Sequence, residues 1–477
     1  MHSSAYNNRE MLGERIVLIA TSLASFLVAY TISALNVALP LIGVEFGLSP
    51  VELGWIQNSY LLSSVIFLLP AGRLADLRGR RIVFLIGLAL FTFSALSTFF
   101  VASKELFYIM RLIQGAAAAM FVSTSVAILT SIFSKSFHGL AIGINTAAVY
   151  AGQTIGPYLG GFLTQNFGWR SIFLSSVVLG ILPLMITLFK VDDNDGMDPL
   201  IGKFDYVGMI LYASALTTIV LSATYSTTPT SFSSTLLNPI TLFAFGTVLL
   251  IIFIFWQLKT VEPLIDVRIF KYNRAFTCSN FTALMNYSAT YMIPILLSIY
   301  LQLVRRLTPE NTGLILVTQP LVQTIISPLA GRLSDKRQPR LWASLGMGIN
   351  TVGIFFLTFL DQNIGLEIIL FILTIIGFGY ALFSTPNTSA LMGSVESRYF
   401  GVANATLSTM RQMGMILSTI ISTSILTLFV GPVEISRAQP LPLVMGIKSS
   451  FLISSAICLV GMLVSLSGLG LKKKGHS

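Results

Sequence analysis

The chain has 477 residues, of which 54% are hydrophobic and only 10% are charged. Because soluble domains carry about 25% charged residues, this composition excludes a soluble globular protein and indicates one embedded in a membrane. The net charge of +10 does not indicate a nucleic-acid partner, since the basic residues are concentrated in short connections between apolar stretches. No nucleic acid is therefore expected among the partners of this protein.

Fourteen apolar stretches follow one another along the chain. An apolar segment of about 20 residues crosses the hydrocarbon core of a bilayer as a helix, and a spanning backbone must satisfy its own hydrogen bonds. The predicted spans are residues 16–40, 55–71, 83–101, 106–132, 139–164, 172–189, 206–225, 238–257, 275–303, 312–330, 342–360, 365–391, 400–430 and 447–470. The sequence thus predicts an all-α polytopic membrane protein.

The first span and the basic connections determine the expected topology. The first span continues through Pro40 without a small-residue cleavage site, so we expect it to be retained rather than removed as a signal peptide. Lys and Arg concentrate in alternate connections, including 73–81 and 332–340. By the positive-inside rule these connections are cytoplasmic, and an even number of spans places both termini in the cytoplasm. We expect a multi-pass protein of the cell membrane.

A charged segment that follows the second span is repeated in the second half of the chain. It reads G-R-L-A-D-L-R-G-R-R at 72–81 and G-R-L-S-D-K-R-Q-P-R at 331–340, which is an offset of 259 residues. A similar offset of 262 residues separates two pairs of glycines, Gly115 from Gly377 and Gly139 from Gly401. These offsets indicate two copies of one membrane unit, joined head to tail.

The spans at 206–225 and 238–257 have no partner in this repeat. The sequence therefore predicts a six-helix bundle at 1–190, a two-helix insertion with cytoplasmic linkers at 191–273, and a second six-helix bundle with a basic tail at 274–477. Parallel halves of this kind hold a solute site near the midplane of the bilayer and alternate its access to the two sides.

Four short motifs carry a resemblance to a known family. The segment 72–81 fits a loop signature, and L-N-V-A-L-P at 35–40 fits the end of a first-helix motif. R-L-I-Q-G at 111–115 fits a fourth-helix motif, and G-Q-T-I-G-P-Y-L-G-G at 152–161 fits the antiporter motif of a fifth helix. Over nearly its whole length the chain resembles the major facilitator superfamily and, within it, the branch of fourteen-helix drug:proton antiporters. The resemblance implies two six-helix bundles with two extra helices, and multidrug efflux.

The segment 72–81 is expected to act as a gate. Its glycines suit a tight turn, and its one carboxylate lies among four arginines, which a solvated basic loop does not explain. In the family that the chain resembles, this aspartate latches the cytoplasmic side by pairing with a nearby arginine and by facing a helix N-terminus, whose dipole favours an anion. The second copy has Pro339 and no equivalent of the second glycine, so its latch is expected to be weaker. The predicted gating residues are Gly72, Asp76, Gly79, Arg80 and Asp335.

The fifth span is unusually rich in glycine. Gly152, Gly156 and Gly160 are spaced by four, so one helix face lacks side chains and a neighbouring backbone can approach closely. Pro157 removes a backbone donor and can bend the helix, while Gly161 leaves a second face bare. We predict a hinge or a seal at this motif. The alternative is tight packing without any meaning for export.

Arg111 and Arg411 are the charged residues that the sequence places deep within spans. An intramembrane arginine marks a functional site by default, although one that is tied to carbonyl or glutamine oxygens is structural. All nineteen Asp and Glu fall in loops or near predicted span ends. Tyr30 and Thr31 stand where the resembled branch commonly has an aspartate in its first helix. A buried carboxylate for cations or protons is therefore not expected, and an anionic, zwitterionic or neutral amphipathic solute is favoured.

The sequence predicts a secondary transporter that exports amphipathic organic compounds, with protons as the exchanged ion and no enzymatic activity. It contains no Walker-type phosphate loop or nucleophile elbow, and Cys278 and Cys458 lie in distant spans, so neither a cofactor nor a metal site is predicted. We expect a monomer in the lipid bilayer. The candidate solute-binding residues are polar side chains within spans: Asn36, Arg111, Gln114, Gln153, Asn286, Gln319, Gln323 and Arg411.

Two other functions agree with these features. The first is a facilitator or importer of an organic anion, because the deep charges are positive. The second is a membrane receptor or scaffold of the same fold that moves no solute. A protein that never cycles has little use for both a gate and a hinge, so the sequence favours transport over the second alternative.

Overall fold

The computed structural model describes residues 2–133, 137–190, 204–225, 238–265, 267–336, 338–395 and 400–467, without the side chains at 2–12, 130, 138–139, 224–225, 335 and 400–401. Throughout these ranges the regular secondary structure is helical. The first eight helices are α1 His2–Glu45, α2 Pro50–Arg78, α3 Arg80–Phe99, α4 Lys104–Ile132, α5 His138–Phe167, α6 Arg170–Lys190, α7 Tyr206–Tyr225 and α8 Pro239–Lys259.

The second part of the chain has shorter helices among the long ones. They are α9 Arg268–Tyr272, α10 Arg274–Thr290, α11 Ile293–Ile299, α12 Pro309–Leu316, α13 Thr318–Lys336, α14 Pro339–Phe356, α15 Leu366–Met392, α16 Phe400–Val430 and α17 Pro440–Ser467. A π-helical segment, Tyr300–Val304, continues α11, and single 3₁₀ turns lie at Leu357–Phe359 and Ile435–Arg437. The prediction of an all-α fold is confirmed.

The described residues contain thirteen helical segments that are long and apolar enough to cross a membrane. α5 corresponds to the remaining predicted span. It is just as long, with 30 residues, but it is less apolar because glycines, Asn145 and Gln153 interrupt it. α17 begins at Pro440, seven residues before the predicted start at 447, because Pro440, Pro442 and Gly446 are typical of turns and conceal the beginning of the helix.

The helices form two compact units. Unit 1 consists of Met1–Ile42, Trp55–Ala213 and Thr308–Val317, and unit 2 of Gly43–Gly54, Ser214–Leu307 and Thr318–Ser477. Unit 1 thus includes α12, whereas unit 2 includes α8 and the connection between α1 and α2. The predicted domain boundaries at 190 and 273 stay predictions.

The interior of unit 1 is packed by aromatic rings and by close contacts at glycines, of which Gly115 is one. Phe121 of α4 lies edge-on to Phe84 and Phe91 of α3, with ring centres 6.3 and 5.6 Å apart. Such edge-to-face pairs are favoured by the charge distribution of aromatic rings. Gly115 of α4 lies against the backbone of Tyr60 in α2, where any Cβ atom would collide with the Tyr60 carbonyl oxygen. This packing fixes α4 and α2 in register.

In unit 2, as in unit 1, glycines allow neighbouring helices to approach closely. A Cβ atom built on Gly346 of α14 would lie 2.5 Å from the backbone nitrogen of Phe383 in α15. A Cβ atom on Gly379 of α15 would lie 2.5 Å from Asn350 Oδ1 of α14. These two glycines allow α14 and α15 to pack backbone to backbone, which is typical of helices in membranes.

Candidate functional site

The interior of unit 1 contains a fully buried arginine. Arg111 of α4 has no solvent-exposed surface. Its Nε donates a hydrogen bond to the carbonyl oxygen of Ile56 (3.1 Å), and its Nη1 donates to Gln114 Oε1 (2.5 Å). The guanidinium carbon lies 4.4 Å from the centre of the Tyr60 ring. The partners in these contacts are neutral oxygens and the π face of an aromatic ring, which attracts a cation.

A glutamine of α2 links this arginine to α1. Gln57 Oε1 accepts a hydrogen bond from Arg111 Nη2 (3.5 Å), and Gln57 Nε2 donates to Asn36 Oδ1 (2.9 Å). Asn36, Gln57 and Gln114 are all buried. We call these four side chains the Arg111 network. It brings together three of the predicted solute-binding residues, and it adds Gln57, which the sequence analysis did not single out.

The Arg111 network has one unused donor. Gln114 Nε2 is buried and makes no hydrogen bond with a described protein group. Burying a polar group without a partner costs free energy, so such atoms are rare and need an explanation. A polar group of a solute is one acceptor that this amide fits. The network also joins α1, α2 and α4, so Arg111 is at the same time a structural anchor of unit 1.

α5 packs against α1 along a face without side chains. A Cβ atom built on Gly152 would lie 2.6 Å from the carbonyl oxygen of Phe26, and one on Gly160 would lie 2.6 Å from the backbone of α1. A Cβ atom on Gly156 would collide with Ser33 Oγ, which itself donates to the Gly152 carbonyl oxygen (3.1 Å). The three glycines therefore allow the backbones of α1 and α5 to touch.

The next glycine of α5 faces a different helix. A Cβ atom on Gly161 would collide with the carbonyl oxygen of Pro309 in α12. A Cβ atom on Gly313 of α12 would collide with the carbonyl oxygen of Pro157 in α5. The contact is reciprocal, since each glycine accommodates a carbonyl group of the other helix. α5 thus lies between α1 and α12, with bare backbone on both sides.

The predicted gate lies where α2 meets α3. Asp76 Oδ1 accepts hydrogen bonds from Arg80 Nε (3.3 Å) and Nη2 (3.1 Å) and forms an ion pair with it. Arg80 Nη1 also donates to the carbonyl oxygen of Ala127 in α4 (3.0 Å). Gly79 separates the two helices with φ at 99°, which only glycine adopts readily. Asp76, Gly79 and Arg80 therefore tie the ends of α2, α3 and α4 together.

One predicted gating residue, Gly72, does not lie in the expected turn, and the side chain of another, Asp335, is not described. Gly72 lies within α2 rather than in a turn, because the helix continues to Arg78, two turns beyond the apolar stretch. A Cβ atom on Gly72 would have its nearest neighbour, Ser123 Cβ, at 3.9 Å, so no close packing requires a glycine there. The side chain of Asp335 is outside the described residues. Its backbone belongs to α13, and Pro339 begins α14.

Unit 2 contains a second intramembrane arginine. Arg411 of α16 is half-buried, and its Nη2 donates to Thr388 Oγ1 of α15 (2.6 Å). Its guanidinium carbon lies 5.7 Å from the centre of the Tyr287 ring of α10. Its Nε is buried and makes no hydrogen bond with a described protein group. Arg411 of α16 thus contacts two other helices of unit 2, and its Nε is a donor for a further acceptor.

The other predicted solute-binding residues are not joined to these arginines. Asn286 of α10 is fully buried, and neither its amide oxygen nor its nitrogen has a described partner. Gln323 of α13 is buried, whereas Gln319 of α13 and Gln153 of α5 are half-buried. Among the described residues, none of these four side chains is hydrogen-bonded to an arginine. Asn286 immediately precedes Tyr287, the residue of α10 whose ring Arg411 contacts.

Lys448 is a third charge inside a span, which the sequence analysis missed. α17 begins at Pro440, so Lys448 lies two turns into the helix, about 12 Å from its first residue. The prediction that the deep charges are Arg111 and Arg411 is therefore incomplete. Lys448 is half-buried, and Met445 and Leu452 on the same side of the helix are exposed. A lysine on such a face extends its ammonium group towards the membrane surface.

The described carboxylates agree with the predicted absence of deep acidic groups. Every Asp and Glu with a described side chain lies in a connection or within about one turn of a span end. Glu52 and Ser49 form a capping box at the start of α2, with Glu52 Oε2 2.9 Å from the Ser49 nitrogen. Asp205 accepts a hydrogen bond from the Gly208 nitrogen (2.8 Å) at the start of α7. These acids stabilise helix ends.

Comparison with known proteins connects this geometry to a family. The chain matches the family model described as the Major Facilitator Superfamily over residues 21–277 and 279–476. It is similar to the riboflavin transporter RibZ of Clostridioides difficile (strain 630), with 26% identity over 454 residues, which cover 94% of this chain and 96% of that protein. It is also similar to the multidrug resistance protein Stp of Mycobacterium tuberculosis (strain ATCC 25618 / H37Rv), with 29% identity over 445 residues, covering 92% and 82%.

The fold has counterparts among solved structures. A bacterial homologue of the human lysosomal transporter Spinster matches with a TM-score of 0.69 and 15% identity, over 96% of this chain and 98% of that one. At this level of identity the match supports the fold alone.

Proposed function

Because this chain belongs to the major facilitator superfamily, it is a multi-pass membrane transporter and not an enzyme, and we propose that it exports amphipathic organic compounds in exchange for protons. One relative is a multidrug resistance protein and another is a riboflavin transporter, and both names support an organic solute. The proposed cycle alternates access to the two sides of the membrane, with α5 as the hinge or seal and Asp76 with Arg80 as the cytoplasmic latch.

The observation that carries the proposed solute class is the charge inside the spans. Arg111 and Arg411 each contact other helices within their own units. Gln114, which is bonded to Arg111, and Arg411 itself each have a buried nitrogen that lacks a described partner. The described carboxylates are all at span ends or in connections. Desolvating an unpaired charge costs several kcal/mol, so a cation without a buried counter-ion is disfavoured. Neutral and anionic amphiphiles are the proposed solutes.

Proton exchange is the proposed driving reaction. The sequence lacks a phosphate-binding loop for ATP, so the energy comes from an ion gradient or from the solute's own gradient, and of these we propose the proton gradient. Since the described carboxylates lie at span ends or in connections, a carboxylate that exchanges protons would have to be at one of these places. Such a carboxylate would not lie in the centre of a span.

Transport in proteoliposomes with an imposed pH gradient tests the proposal. The solute panel contains anionic, neutral and dicationic fluorescent amphiphiles of similar size, together with riboflavin. We expect an imposed gradient to drive neutral and anionic compounds against the direction of proton flow, and dicationic compounds to move at least about tenfold more slowly. Liposomes without protein and liposomes with a proton ionophore are the controls.

Two outcomes would contradict parts of the proposal. Robust transport of the dicationic dye would reject the charge argument and leave the export function standing. Downhill transport that ignores the pH gradient would reject proton exchange and favour the alternative of an organic-anion facilitator or importer, which the two arginines also support. Absence of movement for every solute, with a folded protein, would favour a receptor or scaffold.

Replacement of Asp76 by asparagine is expected to slow transport more than it lowers the amount of folded protein. The ion pair with Arg80 is partly exposed, so its loss amounts to about 1 kcal/mol, or a change of about fivefold in a conformational equilibrium. The measurement is transport rate divided by folded protein in the membrane. Gly72→Ala is the matched control, because the structure leaves room for a Cβ atom there. An unchanged rate per folded Asp76→Asn molecule would reject the latch.

Replacement of Arg411 by alanine is expected to impair the transport of anions more than the transport of neutral solutes. Loss of a charge-assisted contact of about 1.5–3 kcal/mol predicts roughly a tenfold to hundredfold rise in KM for an anionic amphiphile and little change for a neutral one. Lys448→Ala is the matched control, since it removes an equal charge from a span at a different site. If Arg411→Ala and Lys448→Ala impair anion transport equally, the effect comes from net charge and not from a solute contact at Arg411.

A further inference from the structure

The lipid-facing surface of unit 2 carries an apolar groove between α14, α15 and α17. Its volume is about 410 Å³, and residues that line it include Leu341, Leu345, Gly348, Val352 and Met462. Its one polar lining residue, Ser344, is engaged elsewhere, because its hydroxyl is hydrogen-bonded to the Ser465 hydroxyl at 2.7 Å. The groove therefore offers a surface of hydrocarbon to its occupant.

The length of the groove matches one leaflet of a bilayer. Its lining residues on α14 run from Leu341 to Val352, which is about 16 Å at the rise of an α-helix. Half of a bilayer's hydrocarbon core is about 15 Å thick. Gly348 forms part of the floor, where a Cβ atom would already lie 3.1 Å from Met462 Sδ. An extended acyl chain fits a groove of this length and chemistry.

One end of the groove is basic. Arg340 immediately precedes Leu341 and shares a helix stripe with Ser344 and Gly348, at positions i, i+4 and i+8. The exposed Lys336 ends α13 nearby in the chain. This end of the groove therefore offers two positive charges, those of Arg340 and Lys336, to a phospholipid headgroup.

We propose that this groove binds one anionic phospholipid, with an acyl chain along α14 and the headgroup phosphate at Arg340. The lipid belongs to the leaflet that contains the basic connections, which the sequence predicts to be the cytoplasmic one. Short basic segments next to spans attract anionic lipids. The apolar groove binds the acyl chain and contributes equally to the binding of phospholipids with any headgroup. The site is independent of the solute that the protein transports.

Native mass spectrometry of the purified full chain tests this site, with phosphatidylglycerol and phosphatidylcholine of identical acyl chains. We expect the wild type to bind phosphatidylglycerol at a lipid concentration about tenfold lower than the concentration at which it binds phosphatidylcholine. Gly348→Leu should weaken binding of both lipids about tenfold, because the side chain fills the groove. Arg340→Gln should remove the preference and leave phosphatidylcholine binding unchanged. Gly143→Leu is the matched control, because this glycine of α5 has open space around it.

The thermal stability of each variant is measured in parallel. If Gly348→Leu proves unstable, Leu345→Trp narrows the groove from an exposed position and is expected to have the same effect. Equal binding of the two lipids by the wild type would overturn the proposal, as would unchanged binding after both groove substitutions. Equal binding of free oleate and phosphatidylglycerol would overturn the assignment to a phospholipid.

Discussion

Replacement of Gly156 by leucine is expected to abolish transport, with at least about a hundredfold loss of rate per folded molecule. The bare face of α5 contacts the backbone of α1, and even a Cβ atom at Gly156 would collide with Ser33 Oγ. A leucine would separate α1 from α5 and prevent the close contact that small residues allow. The measurement is solute transport in proteoliposomes, normalised to protein that elutes as a single folded species. Solute binding from one side is expected to survive.

Smaller substitutions on the same face provide a graded test. Gly156→Ala meets a hydroxyl that can rotate away, whereas Gly160→Ala meets the backbone of α1 at 2.6 Å. We therefore expect Gly160→Ala to be the more damaging of the two. Gly143→Leu, on the same helix but with open space around it, should transport normally. Normal transport by Gly156→Leu would reduce the motif to a coincidence of glycine spacing.

Replacement of Arg111 by methionine is expected to destabilise unit 1 and to eliminate transport. The substitution leaves the buried Gln114 Oε1 without its guanidinium partner, at a cost of about 1–3 kcal/mol, and removes a desolvated cation–π contact worth about 2 kcal/mol. We expect a total loss of about 3 kcal/mol or more. The measurements are the yield of folded protein and its thermal unfolding in detergent.

Two further variants separate the structural role of Arg111 from a contact with solute. Arg411→Met is the matched control for stability, because Arg411 is half-buried and is expected to contribute less to the fold. Arg111→Lys keeps the charge but cannot reproduce the planar donor geometry, so it should also be unstable. If Arg111→Met is as stable as the wild type yet loses only anion transport, the network acts on solute and not on the fold.

The sequence predicted the family and the helical fold, and the family match and the helices confirm both. The physical reason is that the bilayer imposes long apolar helices, so hydropathy reports most spans directly. The glycine spacing at 152–161 indicated close packing for a similar reason, since a helix face without side chains has few other uses in a membrane. For the spans and for this glycine-rich face, the residue pattern alone is enough to predict the local structure.

From the sequence, one contact between helices was missed and two helix ends were misplaced. Gln57 was not singled out, because nothing in the sequence of α2 distinguishes it from other polar residues until Arg111 and Asn36 meet it. Gly72 was assigned to a turn because the apolar stretch ends before the helix does. Lys448 was placed at a span end because two prolines and a glycine conceal the start of α17. The role of Gln57 thus depends on tertiary contacts, whereas Gly72 and Lys448 depend on where a helix ends or begins relative to its apolar stretch.

The contact between α5 and α12 contains no interlocked side chains at its glycines. Gly161 and Gly313 each meet a carbonyl group of the other helix, so no rotamer has to change at these points for the two surfaces to part. Backbone dispersion contacts lose about a quarter to a half of their strength when a gap of only about 0.5–1 Å opens. At these glycines a small displacement therefore weakens the junction without any side chain having to unpack. The hydrogen bond from the Glu310 nitrogen to Gln165 Oε1 (3.2 Å) is a separate link between α12 and α5.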